Sequence, residues 1–500
     1  MFTFVDPLER AERTAGDRTA FVCGDRSQTF GEFASRCRKV AGALDRLGLD
    51  PLDRVALWAP NSDHYAEIYM GVPASGRAVM PLNTRHAVPE LQYQLDDAGA
   101  RILISDFDAE ALAPNVERVI GLDEWNSMVD EAPEAELGRG STSDTMAGLF
   151  YTGGTTGASK GVVLTHGNLI ANAWHILVAT SIQPDDRYLI MAPMFHAAGS
   201  VSLLPAIWVG ATQVILPAFS PAAALDLIEE SRATMTLAVP TMVSAMNELQ
   251  RAEPRDTSTL RILYYGASPI ATEVVRTATR TFPEAEMCHL YGATELAPLT
   301  TTLRHHERHL DGDLARSAGQ PVVGVDVRVF DDDWNELPPG EVGRVVAKGP
   351  NVMKEYWGKP EATAAVLRDG WYDSGDLGYM DEHSNLFLVD RAKDMIISGG
   401  ENVYCTEVEE ALFKHPMVLE ATVFGIPHDT WGEAVHAVIV PRGEVTAESI
   451  IEHCRQLIAG YKVPRSISFQ SEPLPKSGPG KILKRELRAP YWEGHDKMVH

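Results

Sequence analysis

In TFGEFASRCRKVAGALDRLG (29–48) apolar residues return every three or four positions, the spacing of one helix face, and predict an amphipathic helix. RVALWAP (54–60) and ARILISD (100–106) are instead short, almost continuous apolar runs and predict buried strands. The alternation continues through RYLIMAPMFH (187–196), GATQVILP (210–217), ATMTLAVP (233–240) and LRILYYGAS (260–268), each closing in Gly, Pro or a small residue. Strands interleaved with helices imply α/β layers. From Val322 to Lys348 the texture changes to strands and tight turns, and NELPPGEVGRVVAKGP (335–350) predicts a hairpin. Beyond VDRAKDMIISGGENVY (389–404) a separate pattern begins: helix CTEVEEALFKHP, strands EATVFGIP and AVHAVIV, helix AESIIEHCRQLI. About 100 residues suffice for a small independent domain. The reading is a large α/β domain of several subdomains over 1–392 and a small α+β domain over 393–500.

Composition narrows the class. The 500 residues are 45% hydrophobic and 23% charged, ordinary globular material, and too long for one core. With 44 basic and 69 acidic residues the net charge is -25, which argues against a nucleic-acid binder and requires any anionic substrate to be gathered locally. The five cysteines show no paired spacing, so neither a disulfide framework nor a zinc module is expected, and a reducing cytoplasm fits. No secretory signal pattern and no long apolar span is seen.

YTGGTTGASKG (151–161) holds most of the candidate chemistry. Gly153, Gly154 and Gly157 allow close backbone approach, and Thr152, Thr155, Thr156 and Ser159 offer hydroxyls. Lys160 adds a compact cation, so the segment suits a polyphosphate. It is not a Walker loop, because Ser159 precedes the lysine and Gly161 follows it. Alone, it reads equally as a surface loop.

Together with YGATEL (291–296), YDSGD (372–376), VDRAKDMIISGGENVY and SGPGKILKRELR (477–488), this loop resembles the adenylate-forming superfamily, above all its fatty-acyl-CoA and aryl-CoA ligases. The resemblance runs along the whole chain. It implies a two-step reaction in which a carboxylate attacks the α-phosphate of ATP, expelling pyrophosphate, and coenzyme A then takes the acyl group. The loop would hold the outer phosphates. Tyr291 would stack on adenine beside the wall Gly266-Ala267-Ser268; Gly292 and Thr294 would approach phosphate, and Glu295 would supply the magnesium carboxylate. Asp376 and Arg391 would bind the ribose hydroxyls. Lys481 matches the catalytic lysine carried on a mobile small domain that turns about Lys393, and Gly399 and Gly400 would line the pantetheine channel. His196 matches a gate between acyl pocket and coenzyme A channel, and Trp431 falls where relatives contact the coenzyme A nucleotide or pack a core. Departures are Gly153 for a usual serine, Cys405 for a common proline, and Pro479 just before Gly480-Lys481, which stiffens that loop.

The acyl-pocket segments MAPMFHAAGS, AVPTMVSAM, YYGASP and YGATELAPLTTT contain no lysine or arginine, so a second substrate carboxylate would lack a partner. A monocarboxylic acid with an apolar tail follows. The small residues Ala197, Ala198, Gly199 and Ser200 favour a medium- or long-chain fatty acid, with a cinnamate-type aryl acid as the alternative. A carrier-protein-loading enzyme is the second alternative, disfavoured by the absence of an appended carrier domain. His305, His306, His309, Asp311 and Asp313 lack the spacing of a zincin helix. Oligomeric state stays open, a homodimer included, as does weak contact of the basic segment 476–488 with a membrane surface.

Overall fold

The computed structural model describes residues 2–152, 159–268, 270–305, 312–392, 394–428, 430–476 and 482–493. Among these residues the chain forms four sheets. A nine-stranded sheet has a parallel centre built by Thr19–Cys23, Thr212–Ile215, Arg187–Ile190, Met235–Ala238, Ile262–Gly266 and Glu286–Gly292, with antiparallel pairs at both edges. A seven-stranded sheet runs parallel through Arg118–Gly121, Ile102–Ser105, Arg54–Trp58, Ala78–Pro81 and Met146–Thr152, then turns antiparallel at Lys160–Thr165 and Glu355–Tyr356. The parallel strands are apolar on both faces because helices cover both.

Local signals set the helices between the strands. Phe30–Arg46 starts at Thr29, whose hydroxyl accepts from the Glu32 N–H while the Glu32 carboxylate accepts from the Thr29 N–H. Its inner stripe of Phe33, Cys37, Val40 and Leu44 is buried in the main core.

A five-stranded antiparallel sheet follows, from Asp326–Phe330 to Leu386–Arg391. The hairpin expected inside 335–350 is a longer one: Asp326–Phe330 pairs with Gly343–Lys348, and residues 331–342 connect them. Pro338 and Pro339 have no N–H to give a ladder, so pairing resumes only at Gly343.

The last sheet contains Ile396–Ser398, Glu401–Val403, Val418–His428, Gly432–Pro441 and Ser466–Phe469. Helices Cys405–Phe413 and Ala447–Arg455 bury Val408, Leu412 and Ile450 against it. Phe424, Val438 and Leu474 form a second cluster with Leu487 and Tyr491 of helix Lys484–Trp492. No helix among the described residues is long and apolar enough to cross a membrane.

Candidate active site

The phosphate loop joins two antiparallel strands, and its ends Thr152 and Lys160 stand directly opposite. Gly153, Gly154, Thr155, Thr156 and Gly157 lie outside the described residues. The exit of the loop is tied down from a distance: Tyr93 OH donates to Ser159 O (3.1 Å), Gln94 Nε2 to Ser159 Oγ (3.2 Å), and Trp357 N to Gly161 O (2.8 Å). Beneath it Asp97 accepts from Tyr151 OH at 2.7 Å and pairs with Lys359 at 2.5 Å. Burial, and next the hydrogen bond to Asp97, push the Tyr151 hydroxyl well up, so it stays a donor. Lys160 Nζ lies 4.9 Å above the centre of the Tyr356 ring.

Glu295 sits in the short 3-10 turn Thr294–Leu296, between strands Glu286–Gly292 and Leu299–His305. It is 8% exposed. Its Oε1 accepts from Tyr356 OH at 2.9 Å, and among the described residues Oε2 has no hydrogen-bond partner. Met353 N donates to Glu295 O (2.7 Å), and Asn351 Nδ2 donates to Leu296 O (2.8 Å) and Leu299 O (2.9 Å), so the turn is held by its backbone. A hard carboxylate oxygen without a hydrogen-bond partner among the described residues is of the kind that suits a magnesium ion.

The cluster expected to bind ribose forms by strand register. Asp376 and Arg391 are antiparallel partners, and Arg391 Nε lies 2.7 Å from Asp376 Oδ1. Tyr291 OH donates to Asp376 Oδ2 at 2.7 Å. Burial pushes the Tyr291 hydroxyl up, and the Asp376 charge adds to it. Three residues spread over 100 positions of chain thus hold one another, and the tyrosine ring is fixed by its tip. The adjoining wall is made of backbone. Ala267 adopts φ +65°, and a Cβ at Gly266 would lie 2.1 Å from Leu290 O. One at Gly292 would lie 1.7 Å from Pro298 O, so neither position admits a side chain. Ser268 follows this turn, half-buried.

On the acyl side, His196 Nδ1 accepts from the Ala198 N–H at 3.3 Å. Burial pushes this histidine down to about 4, leaving a neutral ring at neutral pH. Gly199 is pressed against the chain, with a Cβ there only 1.9 Å from Pro193 O. A cavity lined by Tyr69, Leu169, Asn172, Ala197, Ser200 and Pro298 lies behind this segment. Its polar groups are engaged: Asn172 Oδ1 accepts from Leu299 N, and Ser200 Oγ bonds Tyr69 OH at 3.2 Å.

Gly399 (φ +63°) and Gly400 (φ +87°) form a turn whose Gly399 N–H donates to Trp431 O at 2.9 Å. Trp431 is stacked on His428 (4.2 Å, 14°) and covered by Arg465 at 4.6 Å. These residues make their own group in the small sheet. Where that sheet meets strand Leu386–Arg391, Asp390 accepts from Cys405 N, and Lys484 pairs with Glu409 at 2.9 Å. Lys393 and Lys481 lie outside the described residues. Tyr356, Asp97 and Lys359 carry no signal of their own in the sequence: Asp97 stands on helix Val88–Ala98, whose buried stripe of Leu91, Leu95 and Ala98 reads as ordinary packing, and Tyr356 and Lys359 stand where the composition is not phosphate-like.

The family model "AMP-binding enzyme" matches residues 8–357, and "AMP-binding enzyme C-terminal domain" matches 407–481. A feruloyl-CoA synthase from Amycolatopsis sp is 40% identical over 491 residues, covering 96% of this chain and 97% of that protein. A fatty acid–[acyl-carrier-protein] ligase from Streptomyces coeruleorubidus is 36% identical over 500 residues, covering 96% and 95%. Among solved structures, an O-succinylbenzoate coenzyme A synthetase from Bacillus subtilis in complex with ATP and magnesium superposes with a TM-score of 0.87 at 30% identity, covering 96% of this chain and 98% of that one.

Proposed function

We propose a reaction from one premise: the chain belongs to the adenylate-forming AMP-binding enzymes and is an AMP-forming acyl-CoA ligase. It joins a monocarboxylic acid with an apolar tail to coenzyme A. A carboxylate oxygen attacks the α-phosphorus of ATP, the bond to the bridging oxygen breaks, and pyrophosphate leaves; the coenzyme A thiolate then attacks the acyl carbon and AMP departs. The observation that carries this reading is the pair of preassembled groups: Tyr291, Asp376 and Arg391 at one end, and Lys160, Tyr356 and Glu295 at the other. The first suits two ribose hydroxyls, the second a polyphosphate with its cation. Magnesium bound at Glu295 would offset charge on the phosphates.

The domains divide at 392/393. Lys481, on the small domain, brings a cation to the carboxylate and α-phosphate for the first step. The small domain then turns about Lys393, and Gly399 and Gly400 admit pantetheine, with Trp431 near the coenzyme A nucleotide. His196, neutral, borders the acyl pocket without attracting the carboxylate.

A medium- or long-chain fatty acid is the proposed substrate, supported by the small residues 197–200. A hydroxycinnamate is the second reading, favoured by the 40% identity to a feruloyl-CoA synthase. Pyrophosphate release with ATP and magnesium across graded fatty acids and cinnamic acids, with and without coenzyme A, separates these. Turnover that rises with coenzyme A for one series identifies the substrate. An adenylate that accumulates regardless of coenzyme A, and is discharged only by a phosphopantetheine carrier protein, replaces the ligase reading; no release with any acid sinks it.

A further inference from the structure

We propose that Tyr356 is a positioning residue that couples the magnesium carboxylate Glu295 to the phosphate lysine Lys160, an inference that rests on the acyl-adenylate reading above. The short strand Glu355–Tyr356 pairs with the phosphate-loop strand, Tyr356 opposite Val162. The residues just before it grip the metal turn through Met353 N and Asn351 Nδ2, and the residue after it holds Gly161 O. Segment 351–357 therefore belongs to both sides of the triphosphate site, and Tyr356 is the side chain where the sides meet. It is 5% exposed.

Its two contacts do different things. The hydroxyl donates to Glu295 Oε1, which orients the carboxylate and leaves Oε2 as the oxygen that would be available to a magnesium ion. The ring face attracts the Lys160 ammonium without cancelling its charge. A carboxylate in the same place would hold the lysine equally well and would neutralise it against phosphate. An aromatic seat keeps a full positive charge in a fixed position, which transfer to or from a phosphate requires. A purely structural tyrosine at this edge would need neither contact.

Tyr356→Phe removes the hydroxyl and keeps the ring; Tyr356→Leu removes both. Manganese binding in the presence of ATP and the absence of any acid, followed by electron paramagnetic resonance, reads the site without turnover. Tyr356→Phe is expected to weaken manganese binding about fivefold to tenfold, the size of one charge-assisted hydrogen bond. The melting temperature without ligand and the KM for the acid should stay unchanged, and excess magnesium should restore pyrophosphate release. Tyr356→Leu should in addition raise the KM for ATP. The same hydroxyl deletion made on Glu295→Ala should cost nothing further. Wild-type manganese binding in Tyr356→Phe, a loss confined to melting temperature, or a full extra loss on Glu295→Ala overturns the proposal. A wild-type protein that binds manganese with ATP yet releases no pyrophosphate with any acid overturns the reaction instead and leaves the coupling measurable.

Discussion

At the proposed nucleotide site, polar side chains from distant segments bind one another: Tyr291 and Arg391 converge on Asp376, and Tyr356 joins Glu295 to Lys160. Along the segment 193–200, the proposed acyl wall, the shape comes from backbone pressed on backbone, with Ala197 lining the cavity and no charged side chain. A polar network is specified group by group, and losing one member strands the others. An apolar wall is specified by volume, and volume can change while the fold stays. In the proposed reading the nucleotide side is therefore the fixed half of the site, and the acyl side the adjustable half.

Breaking the network should have the largest effect. Asp376→Ala takes the acceptor from Tyr291 and the counter-charge from Arg391 in one step. We expect kcat/KM for ATP to fall by about two to three orders of magnitude, as for removal of a charged hydrogen-bonding group from a preorganised site. Half-reaction kinetics with ATP and pyrophosphate exchange would show it. A loss below tenfold would mean the ribose end is not held by this cluster. Ala197→Phe, by contrast, adds bulk at the cavity wall, where no polar side-chain network depends on it. It should shift selectivity between long and short acids by about tenfold to a hundredfold and leave the KM for ATP within about twofold. Equal effects on both substrates would erase the distinction between the halves.

The same contrast explains what could be read from the sequence. Glu295, Asp376 and Arg391 stand in compact motifs whose order and spacing carry the chemistry, and the structure places Asp376 opposite Arg391 by strand register. The parallel strands were legible because burial on both faces leaves continuous apolar runs, as in ARILISD and LRILYYGAS. Tyr356 was not legible: its strand is two residues long and its partner Glu295 lies 61 positions away, so no local pattern records the contact. Asp97 and Lys359 were missed for the same reason, being joined across 262 positions. The hairpin at 335–350 was misplaced because turn residues mark where a chain bends but not which strand it returns to. The cavity behind Ala197 depends on residues from helices Asp63–Ala74, His166–Thr180 and Leu203–Val209 together.

The smallest expected effect concerns protons, and it treats the two halves alike. His289, stacked on Tyr265 behind the adenine wall, and His196, on the acyl wall, are both pushed down to about 4, in each case by burial. His166 and His175 in the adjoining core are lowered to the same value by the same cause. A base with a depressed folded-state pKa binds fewer protons folded than unfolded at mildly acid pH. Stability from these groups is thus fully present above the ordinary histidine value of 6.5 and is lost progressively as pH falls towards 4. Asp390 has the opposite sign: burial raises it to about 6, so its contribution is present below the ordinary carboxylate value of 3.8 and is lost as pH rises through 6. Four histidines outweigh one aspartate, and the melting temperature should decline from pH 6.5 to 5. His196→Gln, which stays neutral throughout, should flatten that decline by at most about 1.4 kcal/mol per pH unit, the limit for one proton. A melting temperature that is level or rises over this interval would mean that the walls admit water to these rings, and that the acyl half is less dry than its composition implies.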